Sequence, residues 1–138
     1  MSRWLNRLQP WGVLLLRLAL GISMLYHGWH KVVPVSWGHP FSALQHNALF
    51  VGSLGIPSWL GYVSALTEFL GGICLILGLL TRLFAFLVAI NMLFAIFTAT
   101  IHRGYAGSEL SIELLVMALM LVVSGPGRAA LDRKLRLA

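Results

Sequence analysis

Three charged side chains lie within long apolar segments of this chain, where a charge needs a partner or a function. Arg17 lies in WGVLLLRLALGISMLYHGWHK, Glu68 in WLGYVSALTEFLGGICLILGLL and Glu113 in SELSIELLVMALMLVV. A charge near the middle of a bilayer costs about 2.5–3.5 kcal/mol on insertion scales. Such side chains persist where they pair, face a wet cavity or take part in chemistry. They are therefore the first candidates for a functional site.

Further ionisable side chains lie near one end of the same apolar segments. They are His27, Lys31, His102 and Glu109. Imidazoles beside carboxylates can carry protons and can hydrogen-bond the two carbonyl oxygens of a quinone head group. His27 and His30 are one helical turn apart, but no spacing supplies a third metal ligand, so we predict no bound metal.

The depths of Arg17 and Glu68 suggest that these two side chains pair. With Trp11 at one boundary, a rise of about 1.5 Å per residue puts Arg17 about 9 Å into the membrane. Glu68 lies about 15 Å from the opposite boundary by the same rule. We therefore expect a buried Arg17–Glu68 ion pair, which would serve either the function or only the packing of the helices.

The composition is that of an integral membrane protein with a single domain, residues 1–138. Of 138 residues, 59% are hydrophobic and only 10% are charged, whereas soluble domains carry about 25% charged residues. Mean hydropathy is +0.86. The net charge of +6 is concentrated near the chain ends, which reports membrane topology and not nucleic-acid binding. The single cysteine, Cys74, excludes an intramolecular disulfide.

The periodicity predicts an all-α membrane bundle of four helices, at about 11–33, 58–80, 82–101 and 108–124, with a basic tail at 125–138. Four crossings place both termini on one side, and the basic residues there assign it to the cytoplasm. The connection between the first two helices contains FSALQHNALF. That stretch predicts a short interfacial or re-entrant helix. Gly71 and Gly72 predict a close approach between helices.

Several segments together resemble the DoxX family of small bacterial membrane proteins. They are LLLRLALGISMLYHGWHKV, GIP at 55–57, SALTEFLGGICLILGLLTRL, a polar turn beginning at His102, and SGPGRAALD near the end. The resemblance implies a four-helix membrane bundle. It also implies an association with thiosulfate:quinone oxidoreductase, whose related membrane subunit is thought to face the quinone pool. The positions that carry over are Arg17, His27, Gly28, Lys31, Glu68, Gly71, Gly72, Arg82 and His102. Either Glu109 or Glu113 is the matching carboxylate on the last helix.

The leading hypothesis is a bacterial inner-membrane protein that forms a quinone-interacting subunit of a redox complex. Ubiquinone or menaquinone would bind at His27, Lys31, Glu68, His102 and either Glu109 or Glu113. A partner redox protein would donate the electrons. One alternative is a membrane scaffold or assembly factor that binds a partner through residues 34–58 or the basic tail. A weaker one is transport of a small acid or a metal ion. Catalysis and homo-oligomer formation are left open by the sequence.

Overall fold

A computed structural model describes residues 2–34 and 38–135, and the side chains from Trp4 onward. The described residues form helices and no strand. In chain order the α-helices are α1 Ser2–Val32, α2 Ser42–Ser53, α3 Trp59–Leu77, α4 Thr81–Ala95, α5 Gly104–Ser124 and α6 Leu131–Lys134. A π-helical segment, Ile96–Thr100, and a 3₁₀ turn, Ile101–Arg103, join α4 to α5.

Three stretches are long and apolar enough to cross a membrane: Trp4–Val32, Trp59–Leu77 and Thr81–Ser124. The third has 44 residues and folds back on itself at the 3₁₀ turn, so that α4 and α5 pack side by side. The predicted all-α membrane architecture is therefore confirmed. The orientation of the termini and the depth of α2 stay predictions. Residues 35–37 of the first connection and 136–138 of the tail lie outside the described residues.

The observed helix ends differ from the predicted ones for local reasons. The first helix begins at Ser2, nine residues before the predicted start at residue 11, and passes through Pro10. Helix α3, which corresponds to the predicted helix at 58–80, ends at Leu77 because Gly78 adopts a left-handed conformation, with φ of 67°. Its N–H and that of Leu79 return to the carbonyls of Leu75 and Cys74, which terminates the helix.

Close contacts between glycines and backbone set the antiparallel register of α1 and α3. A Cβ added at Gly28 would lie 2.6 Å from Phe69 Cα, and one added at Gly72 would lie 2.7 Å from Leu25 Cα. Such distances leave room for glycine alone, so Gly28 and Gly72 permit the close approach of α1 and α3. A Cβ at Gly71 would make an ordinary contact of 3.5 Å with Val88 of α4. This register places Arg17 level with the end of α3, near Gly78, and Glu68 level with residue 29.

The hydrophobic core fills the half of the bundle between these two levels. Its fully buried members come from four helices: Leu20, Met24, Leu75, Ala85, Val88, Ala118 and Leu121. Apolar burial of this kind contributes roughly 25 cal/mol per Å² removed from water in a soluble protein. In a lipid environment, close packing between the helices contributes a larger share of the folding free energy than apolar burial does.

Arg17 does not pair with Glu68; it belongs to a structure that we call the clasp, formed with Gly78, Pro126, Ala129 and Asp132. The guanidinium, 1% exposed, donates to the carbonyl oxygen of Pro126 and, over 3.0 Å, to that of Ala129. Asp132 N donates to Gly78 O over 2.9 Å. The clasp thus ties the segment after α5 to the middle of α1 and to the C-terminal end of α3.

Asp132 also caps α4 from fifty residues away. Its carboxylate oxygens accept hydrogen bonds from the N–H groups of Leu80, at 2.6 Å, and Thr81, at 2.8 Å. These N–H groups begin a helix that has no side-chain cap of its own. The segment GPGRAALD therefore closes this end of the bundle, which we call the clasp end.

The predicted ion pair is wrong because of side-chain direction as well as register. In an α-helix the Cα–Cβ bonds tilt toward the N-terminus. Since α1 and α3 are antiparallel, Arg17 points toward the clasp end and Glu68 points toward the opposite end. The two residues are also about twelve positions apart along α1, or about 18 Å.

Candidate functional site

Glu68 is the centre of a small polar group in the half of the bundle opposite the clasp. Its Oε1 accepts hydrogen bonds from Lys31 Nζ at 2.7 Å and from Asn91 Nδ2 at 2.9 Å. The Glu68 side chain is 5% exposed, whereas that of Lys31 is 32% exposed. The second carboxylate oxygen, Oε2, is buried and has no hydrogen-bond partner within the described part of the protein. A buried polar atom left without a partner is costly unless a ligand, a water molecule or a proton satisfies it.

An apolar cavity of about 280 Å³ adjoins Glu68 between α2, α3 and α4. Its polar members are Lys31, Asn47, Ser64, Thr67, Glu68, Asn91 and Thr98. Its apolar members are Phe50, Val51, Leu54, Ile56, Leu60, Val63, Leu87, Ile90, Phe94, Ala95 and Ala99. Val63 and Phe94 line this cavity and are also 48% and 57% exposed on the bundle surface. The apolar cavity therefore reaches the surface between α3 and α4, where lipid would surround the protein.

A second space, which we call the polar cleft, lies next to the apolar cavity. It measures about 620 Å³ and is lined by His30, Lys31, Ser42, Ala43, His46, Asn47 and Phe50. Three residues, Lys31, Asn47 and Phe50, line both spaces. Asn47 is fixed by donating from Nδ2 to Gly61 O over 2.6 Å. Lys31 is thus the charged side chain at the boundary between the polar cleft and the apolar cavity.

The change from α-helix to π-helix after Ala95 occurs at the wall of the apolar cavity. Thr98 and Ala99 of the π-helical segment line it together with Ala95. Thr98 Oγ1 donates to Phe94 O at 2.6 Å, so this hydroxyl is satisfied within the helix. π-helical turns within helices are frequent at functional sites. The prediction of one regular helix over 82–101 missed this change.

Of the six side chains predicted for the quinone or proton site, Lys31 and Glu68 come together. His27 is half-buried, and its ring makes an edge contact with Tyr26. His102 is exposed in the 3₁₀ turn. Glu109 and Glu113 are exposed on α5, with no hydrogen bond or ion pair to the described residues. None of these four residues lines the apolar cavity or the polar cleft.

Asn91 and Asn47 complete the site and were not among the predicted site residues. Asn91 binds the same carboxylate oxygen as Lys31. Its position mid-way along an apolar helix is the signal that could have identified it, because an amide in such a place needs a hydrogen-bond partner. Asn47 lies on α2, whose contact with α3 the sequence does not reveal. Among the described residues, no group of three or more His, Cys, Asp or Glu side chains could hold a metal ion.

The geometry can be compared with known proteins. The DoxX family model matches residues 12–101, a range that includes Arg17, Lys31, Glu68 and Asn91. The chain belongs to the DoxX family. Together with the three apolar stretches, this membership makes it a multi-pass membrane protein.

Three curated proteins are similar to this DoxX protein over most of its length. The protein named "Putative oxidoreductase CatD" from Bacillus subtilis (strain 168) is 34% identical over 88% of this chain and 84% of its own. An "Uncharacterized protein" from Haemophilus influenzae is 31% identical over 94% of this chain and 95% of its own length. "Inner membrane protein YqjF" from Escherichia coli (strain K12) is 28% identical, over 95% and 97%. No solved structure matches the chain.

Proposed function

We propose that this DoxX protein is a quinone-interacting membrane subunit of a redox complex, with Glu68 as the centre of its site. The unpartnered Oε2 of Glu68 beside an apolar cavity is the observation that carries the proposal. A carboxyl group there can take or give a proton, and it can donate a hydrogen bond to a carbonyl oxygen when protonated.

The size and lining of the apolar cavity fit the ring of a quinone. Its volume of about 280 Å³ exceeds the roughly 150 Å³ that admits benzene in an engineered apolar cavity. Ligand sites of this kind combine apolar walls with a few polar groups that fix orientation. The opening beside Val63 and Phe94 would admit a lipid-soluble ligand from the side. Ubiquinone and menaquinone are the two candidates.

Each polar residue has a role that follows from its contacts. Lys31 and Asn91 hold Oε1 of Glu68, so the carboxyl group is fixed while Oε2 stays available. The ammonium group of Lys31 stabilises the ionised carboxylate. Glu68 would give its proton toward the apolar cavity and would be reprotonated from the polar cleft, beside Lys31. A bound quinone supplies an acceptor for two electrons and two protons. Electrons would come from a partner redox protein.

The membrane placement follows from the distribution of basic side chains. At the clasp end lie Arg7, Arg82, Arg128, Arg133 and Lys134, whereas Lys31 and Arg103 lie toward the other end. By the positive-inside bias, this distribution supports a cytoplasmic location for the clasp end and for both termini. The membrane is the bacterial inner membrane, the location that the name of the Escherichia coli relative gives for that protein. The polar cleft then faces the outer side.

Transport is less well supported than quinone binding. A transport path needs polar groups from one face of the membrane to the other. The clasp-end half of the bundle is instead filled by fully buried apolar side chains, including Leu20, Leu75 and Leu121. A scaffold function has one favourable observation: the exposed carboxylates of Glu109 and Glu113 on α5 would suit a partner protein that supplies hydrogen-bond donors.

The test is mass spectrometry of quinones that co-purify with the protein in lipid nanodiscs. Wild type should carry quinone at close to one per chain after washing with lipid. Glu68→Gln removes the proton site and keeps the shape, and we expect at least a tenfold loss of quinone. The matched control is Glu113→Gln, which neutralises a carboxylate outside the apolar cavity and should retain quinone. Absence of quinone from wild type, or equal amounts in all three proteins, would favour the scaffold function.

A further inference from the structure

Lys31 lines two different spaces. Its ammonium group donates to Glu68 at the wall of the apolar cavity, while about a third of its side chain is exposed and lines the polar cleft. Glu68 is the carboxylate with which Lys31 pairs among the described residues. Any other anion that enters the polar cleft would therefore compete with Glu68 for the same ammonium group.

The polar cleft itself is built from groups that attract negative charge. His30 of α1 and His46 of α2 are exposed side chains that line it with Lys31, and no Asp or Glu does so. Ser42 and Ala43, the first two residues of α2, also line it, and the first turn of this 12-residue helix contains no acidic residue. The N–H of Ser42 is already bonded to His39 O at 3.1 Å, so the start of this helix adds the partial positive charge of its dipole.

We propose that the polar cleft binds a small anion, a carboxylate or an oxyanion, between His30, His46 and Lys31. Lys31 is then shared: it contacts Glu68 when the polar cleft is empty and turns toward the anion when it is occupied. The proposal rests on the proposed function in one respect, that Glu68 is the reactive carboxyl group of the apolar cavity. It names a second ligand of the same site and the residue that couples the two.

The experiment uses sulfate as the probe and the full-length protein in phosphatidylcholine nanodiscs at constant ionic strength. Isothermal titration calorimetry should show saturable binding to wild type. The double variant His30→Ala/His46→Ala should bind sulfate at least tenfold more weakly, because each substitution removes a hydrogen-bond donor to the anion. His39→Ala is the matched control, since His39 is an exposed histidine that does not line the polar cleft.

The variant Glu68→Gln tests whether Lys31 is shared between Glu68 and an anion. Glu68→Gln removes the competing carboxylate, so sulfate should bind several-fold more tightly than to wild type. Weaker binding to Glu68→Gln would overturn the sharing of Lys31. Absence of saturable sulfate binding to wild type, or equal binding to the double histidine variant, would overturn the anion site.

A second arm distinguishes a free anion from the headgroup of an anionic lipid. In nanodiscs that contain phosphatidylglycerol, a headgroup in the polar cleft would block sulfate, and tightly held phosphatidylglycerol would be lost from the double histidine variant. Unchanged sulfate affinity would identify a soluble anion. Quinone is measured in the same samples. If the double histidine variant loses sulfate but keeps quinone, the anion site stands whether or not Glu68→Gln loses quinone, so the two proposals can fail separately.

Discussion

Replacing Arg17 by methionine tests whether this buried charge serves the clasp or the Glu68 site. Methionine has a similar length and no charge. The change removes the hydrogen bonds to the carbonyl oxygens of Pro126 and Ala129 and the attraction to the Asp132 carboxylate. Hydrogen bonds from charged donors contribute about 1.5–3 kcal/mol each, and the effects of neighbouring bonds do not add fully. We expect the free energy of unfolding to fall by about 3 kcal/mol.

Double-mutant cycles then assign the partner of Arg17. Arg17→Met and Asp132→Asn should couple by about 1 kcal/mol, because the Arg17 guanidinium and the Asp132 carboxylate attract each other within the clasp. Arg17→Met and Glu68→Gln should add within about 0.5 kcal/mol, since the two residues lie roughly 18 Å apart along the bundle. Equilibrium unfolding in mixed micelles, followed by circular dichroism, measures both cycles. Strong coupling of Arg17 with Glu68 and none with Asp132 would refute the antiparallel register of α1 and α3.

Two other changes probe the packing and the charge pair. Gly28→Ala forces a Cβ against the backbone of α3 and should lower the free energy of unfolding by about 1–3 kcal/mol. Gly71→Ala has room for a methyl group and should leave the thermal midpoint nearly unchanged. Equal effects of the two substitutions would contradict the close approach of α1 and α3 at Gly28. Lys31→Met leaves the buried Glu68 carboxylate without its cation and should destabilise the protein by about 3–5 kcal/mol. Adding Glu68→Gln should recover most of that loss in the same unfolding assay, and a failure to recover would mean that Lys31 acts through other contacts.

The sequence alone predicts the helical architecture because apolar length and periodicity are local properties. The apolar pattern locates the four segments to within about ten residues, and it predicts a helix around Ala48. The largest error is at the start of α1, because the apolar run begins only at Trp11 whereas the helix already passes through Pro10. The Pro10 carbonyl oxygen accepts a hydrogen bond from Arg128 N at 3.2 Å, a contact that depends on the folded clasp.

The functional site is predictable only in part, since register between helices is a long-range property. Glu68 and Lys31 are unusual residues in their apolar segments, and they do meet. The partner of Arg17 cannot be found by counting along one helix, because it consists of backbone carbonyls more than a hundred residues away. The other four predicted residues lie at about the level of Glu68 along the bundle axis or farther from the clasp end: His27, His102, Glu109 and Glu113. Equal height does not bring side chains to the same side of a bundle.

Photolabelling with an azido-quinone in nanodiscs tests the central claim most directly, because it reports where the ligand lies. We predict that peptide mapping finds the label on residues around the apolar cavity, such as Val63, Thr67 and Phe94, and that excess unmodified quinone removes it. Glu68→Gln should reduce this labelling about tenfold. Labelling that resists competition, or that falls mainly on the exposed face of α5 around Val116 and Met120, would contradict a quinone site at Glu68.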